Sequence, residues 1–132
     1  MGRQYDVNIN SAVAVDHGTP FAIDEIPAKE AFDILAEFEI GSSIRQFDAT
    51  YTVLLTVVNN TRVEQTLKVT DTGSIAGTSG ADPVPVPVTV AVAANTWAAD
   101  PGDDLELRAV LLYKAGAVTY SAKVLGNSFL VA

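Results

Sequence analysis

Val84, Val86, Val88, Val90 and Val92 take every second position of Asp82-Pro83-Val84-Pro85-Val86-Pro87-Val88-Thr89-Val90-Ala91-Val92. A two-residue period belongs to an extended strand, whose side chains point alternately to opposite faces. The interleaved Pro83, Pro85 and Pro87 are incompatible with a helix. Backbone N–H groups alternate in direction along a strand too, so the three missing donors lie along one edge while the valine N–H groups face the other. The segment reads as an edge strand, pairable on both sides only from Thr89 onward. A chain that blocks a sheet edge in this way restricts what it can assemble with.

At 132 residues the chain is long enough for one domain with its own core. It contains no cysteine, so neither a disulfide framework nor a thiolate metal site is available. Sixteen acidic residues against eight basic ones give a formal charge of −8. That balance disfavours a nucleic-acid partner, which selects for a basic footprint, and disfavours attraction to anionic lipid. The N-terminal residues have no apolar run long enough for a signal-peptide core, and the most apolar stretch, Thr50 to Val58, is too short to span a membrane. With Met1 as the native start, the protein is expected to be made in a cytoplasm.

Alternation continues along the chain. Tyr5, Val7, Ile9, Ser11, Val13 and Val15 alternate with polar residues and alanines, giving a long strand or an arm that becomes one on contact with a partner. Asp16 to Pro20 is a turn, and Phe21-Ala22-Ile23 a short strand before Pro27 interrupts the pattern. Residues 28–40 are ambiguous: Ala28, Ala31, Phe32 and Leu35 would share a helical face, yet Phe32, Ile34, Ala36, Phe38 and Ile40 keep strand parity. A strand from Phe32 to Ile40 is the favoured reading, with one helical turn before it as an option.

Tyr51 to Val58 is apolar on both faces, as in a central strand. Asn59-Asn60-Thr61 turns the chain into a strand from Val63 to Thr70, and a mobile glycine- and serine-rich loop is expected from Asp71 to Asp82. The Asp100-Pro101-Gly102-Asp103 turn leads to a hairpin through Ala115-Gly116-Ala117, and Gly126-Asn127 to a last short strand, Ser128 to Val131. The pattern predicts an all-β antiparallel β-sandwich, jelly-roll or Ig-like, of eight or nine short strands. Residues 1–20 would be an extended N-terminal arm or strand and 21–132 the sandwich domain. Val53, Leu55, Val57, Leu107, Leu111, Tyr113, Tyr120 and Val124 are its expected inward-facing residues.

Residues that could carry chemistry have simpler roles. His17, the lone histidine, stands beside Asp16 in a turn, without the nucleophile motif a catalytic histidine serves. Asp100, Asp103 and Asp104 could attract calcium, but Asp-Pro-Gly-Asp is foremost a β-turn. Asp33, Glu37 and Glu39 would share one face of a strand; a glycosidase pair there would need a cleft with stacking aromatics, so a solvated acidic face is favoured. Trp97 is either a core plug or an interface anchor, with the core favoured. Asn59-Asn60-Thr61 fits the glycosylation pattern but, with no signal-peptide core found, is not expected to be used. The expectation is a protein that is not an enzyme and needs no cofactor or metal.

The short alternating strands of residues 30–132, the Asn59-Asn60-Thr61 and Asp100-Pro101-Gly102-Asp103 turns and a last strand running almost to Ala132 carry a resemblance of style. In these the chain resembles the small jelly-roll or Ig-like structural proteins of tailed bacteriophages, especially capsid decoration (cement) proteins. That resemblance implies a virion protein made in the host cytoplasm and bound outside an assembled shell. The implied partners are the major capsid protein or another virion protein, with a homo-oligomer, preferably a trimer; nucleic acid and membrane are not expected partners. No functional residue carries over, because no diagnostic motif is shared. The competing readings are an adhesin-like or carbohydrate-binding module and a phage tail component. The candidate assembly interface is the arm, through Tyr5, Val7, Ile9, Val13 and Val15, together with Trp97. Fully extended, twenty residues reach about 60 Å, and their alternation suits addition of a strand to a neighbour.

Overall fold

The computed structural model describes residues 7–132 and is all-β, with no helix among them. The strands are β1 (Val7–Asp16), β2 (Glu25–Ile26), β3 (Phe32–Ile40), β4 (Ala49–Asn59), β5 (Glu64–Ile75), β6 (Val84–Val92), β7 (Asp104–Ala115) and β8 (Val118–Val131). A three-stranded sheet runs in the order β1-β3-β6, and a curled five-stranded sheet in the order β2-β8-β7-β4-β5. Every pairing is antiparallel except that of β2 with β8.

Strict alternation builds the core between the sheets. Phe32, Ile34, Ala36, Phe38 and Ile40 of β3 are buried in one cluster with Val53, Leu55 and Val57 of β4 and Leu105, Leu107 and Leu111 of β7. Aromatic rings lock the sheets together: Phe38 lies 5.2 Å from Tyr51 and 6.2 Å from Tyr113, between ring centroids. Val53, Leu55, Val57, Leu107, Leu111 and Tyr113 are buried as the sequence predicts. Tyr120 and Val124 pack on the same cluster from its rim and are half-buried.

The ambiguous segment is a strand over Phe32–Ile40, preceded by a turn and not by a helical one. Leu35, which breaks its alternation, faces outward opposite Val13 of β1, so each apolar side chain covers the other. β6 matches its prediction: Val88 and Val92 are buried, Val84, Val86 and Val90 half-buried, and Pro85 and Pro87 exposed.

Elsewhere the structure corrects the sequence reading. Phe21 to Ile23 contributes only an isolated bridge, Val15 to Ala22, and the short strand is instead Glu25–Ile26 beside β8. β5 continues to Ile75, so the expected loop from Asp71 is shorter. The remaining loop is pinned: the Arg45 guanidinium donates to the Asp82 carbonyl at 2.8 Å and to Thr78 Oγ1, and the Thr78 N–H donates to the Arg45 carbonyl. β7 and β8 meet through Gly116-Ala117, with Gly116 at φ +60, as a two-residue type II′ hairpin requires at its first position. The expected last strand is the end of β8, which runs unbroken through a bulge at Gly126-Asn127, two residues opposite Leu107.

The described part of the expected N-terminal arm, Val7–Asp16, is β1, hydrogen-bonded along β3. Asn10 is an extra residue in that pairing, and it changes the parity of the strand. Val7 and Ile9 face the core before the bulge; Ala12 and Ala14 face it afterwards.

Candidate assembly interface

Sheet edges come first, because an unpaired edge is the simplest place for another chain to attach. On β6 the valine N–H groups face β3, and Pro85 and Pro87 occupy the positions whose donors would face away. β5, the free edge of the five-stranded sheet, has a bulge at Thr66 and an inward-pointing acid, Asp71, which accepts a hydrogen bond from the Tyr51 hydroxyl at 3.1 Å. Burial, and then this carboxylate, hold the Tyr51 phenol above its ordinary pKa. Lys68 points outward from the same strand. Bulges, inward charges and edge lysines all discourage strand addition. β2 is only two residues long.

On its outer side the end of β1 bonds to residues 21–23, the Ile23 N–H donating to the Ala14 carbonyl and the Asp16 N–H to the Phe21 carbonyl, both at 3.0 Å, and β8 closes against β1 beside them. The Ala14 N–H donates to Asn127 Oδ1 at 2.8 Å, and Asn127 Nδ2 donates to the carbonyls of Ala14 at 3.1 Å and Ile23 at 3.2 Å. A Cβ at Gly126 would lie 2.6 Å from the Ala12 carbonyl oxygen, so this approach requires glycine. The bulge thus turns one side chain into a substitute for a strand. All four sheet edges are shortened, closed or obstructed.

Tyr5 lies outside the described residues. Val7 and Ile9 are buried in the chain's own core, Val15 is buried beside Asp33 on the other side of its sheet, and Val13 is half-buried there. Their position replaces the picture of an exposed adhesive strip: in this conformation β1 is already paired. Trp97 is a core plug, 4% exposed, with its ring edge against Phe32 and Nε1 donating to the Glu30 carbonyl at 2.8 Å. The bulge at Asn10 is why the arm looked amphipathic in one register when it is built in two.

The polar clusters serve the fold. His17 Nδ1 bonds to Asp33 Oδ1 at 3.0 Å, in place of the neighbouring Asp16, and the Gly18 N–H donates to Asp33 Oδ2 at 2.8 Å. That backbone bond, aided by His17, holds the Asp33 carboxyl below its ordinary pKa against the opposing effect of burial. At the other end, buried Asn59 donates to Asp103 Oδ2 at 2.8 Å, which also accepts from the Asp100 N–H and faces Arg62 Nε at 3.3 Å. Arg62 pairs with Asp100 as well. These contacts tie the β4–β5 turn to the loop before β7. Asp103 and Asp100 accordingly act as partners of Asn59 and Arg62, and no group of three or more metal-ligating side chains occurs among the described residues.

Charge is divided between the two outer faces. Lys68 of β5, Arg108 and Lys114 of β7 and Lys123 of β8 all point outward from the five-stranded sheet, four of the chain's eight basic residues. Towards one end of that face β7 also presents Asp104 and Glu106, the latter bound to Arg108 at 3.1 Å. The outer face of the three-stranded sheet carries Asp33, Glu37 and Glu39, sharing one face as predicted, although Asp33 is buried against His17 and Gly18 and not solvated; no lysine or arginine occurs among its described strand residues. Sequence parity places each cation outward, but strand order is what gathers them, and strand order is not written in any single segment.

No protein-family model matches the sequence, and comparison with curated proteins finds no match.

Proposed function

We propose that the protein is a non-catalytic structural component of a virus particle that binds the outside of a phage capsid and stabilises it. The two sheets are taken as an antiparallel β-sandwich in the jelly-roll or Ig-like style of such proteins, with the major capsid protein as partner and a homo-oligomer, preferably a trimer, as the bound form. The observation that carries this reading is the treatment of the edges. Pro85 and Pro87 obstruct β6, a bulge and Asp71 guard β5, and Asn127 seals β1 against β8. Association is thereby directed to faces, which is what a component of a closed symmetric shell needs and what open-ended sheet growth would destroy.

Co-sedimentation with phage capsids lacking the protein, at two ionic strengths, tests the proposal. Saturable binding that weakens as salt rises supports it. No co-sedimentation, together with specific retention on a glycan array, would transfer the protein to the carbohydrate-binding class.

A further inference from the structure

The outer face of the five-stranded sheet mixes apolar and basic side chains. Leu112 is 47% exposed and Leu125 65% exposed; half-buried Val110, paired with half-buried Leu54, lies two residues before Leu112 on β7 and two after Arg108, the partner of Leu125. Between β7 and β8 runs a shallow groove of about 430 Å³, lined by Arg108, Ala109, Val110, Lys123, Val124 and Leu125. Exposed leucines interspersed with Arg108, Lys114 and Lys123 combine the apolar and polar contacts of a protein interface. We propose that this face is the protein's docking surface and that its occupant is a carboxylate-rich protein surface with an apolar centre.

Charge complementarity selects that occupant. The chain's −8 opposes any polyanion at long range, so apolar contact decides between anionic partners, and exposed leucines have nothing to contact on a phosphate backbone. A second copy meeting the same face symmetrically would set Lys68, Lys114 and Lys123 against their own kind, a net like-charge contact. A second copy stacked through its opposite, acidic face would repeat without closing and grow a fibre. An acidic, partly apolar patch on a different protein satisfies both the leucines and the lysines. The inference builds on the capsid reading and changes its electrostatics: the partner surface is acidic where the protein's net charge alone would call for a basic one.

The test compares the full chain with Lys114→Glu/Lys123→Glu, with Leu125→Ser, and with Thr89→Lys on the opposite face as control; all four positions are exposed, and circular dichroism verifies the folds. Against capsids lacking the protein, the double reversal and Leu125→Ser are expected to weaken binding about tenfold or more, with the control close to the parent. Equal binding by the double reversal overturns the proposal. If the parent binds no capsid, the capsid reading has failed and the face is judged by a separate probe, amide NMR shifts on adding poly-L-glutamate. Salt-sensitive shifts confined to outward residues of β4, β5, β7 and β8, and lost in the double reversal, support the docking face. No shifts, or shifts centred on β1, β3 and β6, overturn it. Tighter binding of a DNA duplex by the same face, or self-association that the double reversal abolishes, overturns the choice of occupant.

Discussion

The side-chain amide of Asn127 bonds both backbone groups of Ala14, accepting from its N–H at 2.8 Å and donating to its carbonyl at 3.1 Å. Ala14 is fully buried, so water cannot take over the bond to its N–H, while its carbonyl keeps a second donor, the Ile23 N–H at 3.0 Å. Asn127→Ala is therefore expected to cost about 1–3 kcal/mol, the penalty for an orphaned buried N–H. Urea unfolding measures it. Asn127→Asp supplies the acceptor without the donor and should recover only part of the loss.

Leu107 and Leu111 are fully buried, while Leu112 between Leu111 and Tyr113 is 47% exposed. Leu107→Ala and Leu111→Ala should each destabilise the protein by about 2–5 kcal/mol, and Leu112→Ala by about 0.5 kcal/mol or less. Thermal or denaturant melts decide this. Equal effects at Leu111 and Leu112 would mean that β7 presents the opposite face to the core.

Removing residues 1–15 is expected to abolish cooperative unfolding. β1 completes the three-stranded sheet and places Val7, Ile9, Ala12 and Ala14 in the core. Its loss would also strip β3 of one partner and expose the Ala12 and Ala14 side of β8. A truncated chain that melts cooperatively in circular dichroism would show β1 to be a detachable arm after all.

Alternation made most strands legible in the sequence, with β3 and β6 matching within a residue or so, because one face of each packs a core and the other meets solvent. What alternation hides is any residue that resets it. Asn10 flips the parity of β1, so Val13 and Val15 leave the face that Val7 and Ile9 occupy. Gly126-Asn127 reads as a chain break but is a bulge inside a long strand. Neighbour order is equally invisible: Lys68, Arg108, Lys114 and Lys123 become one patch only because β5, β4, β7 and β8 lie side by side. A scattered set of outward cations in an acidic chain was the available signal, and it needed the topology to become a surface.

Asp33 supplies a pH signature. Its folded-state pKa is depressed, chiefly by the Gly18 N–H. A depressed carboxyl contributes stability that is fully present above the unfolded value of about 3.9 and is lost as pH falls through the lower folded value. Asp33→Asn should thus be less stable than the parent near about pH 6, by about 1–3 kcal/mol, and the gap should narrow as pH falls below about 4. Urea midpoints across that range test it. His17→Ala leaves the Gly18 bond in place and should move the profile less.

Pro85 and Pro87 are exposed on the free edge of β6, outside the core. Pro85→Thr/Pro87→Thr restores two N–H donors pointing away from β3 and inserts a residue type that favours strands. The inward valines are untouched, so the melting temperature of the dilute protein should change little. What should change is association: an unobstructed edge next to Thr89 and Ala91 becomes a template for another strand. Light scattering against concentration should show the double variant forming larger species where the parent does not. Its salt response separates this from docking through the basic face, since backbone pairing is insensitive to screening while the lysine-bearing interface weakens. A double variant as monodisperse as the parent would mean that the prolines shape β6 without guarding it, and the edge argument for assembly through faces would lose its strongest support.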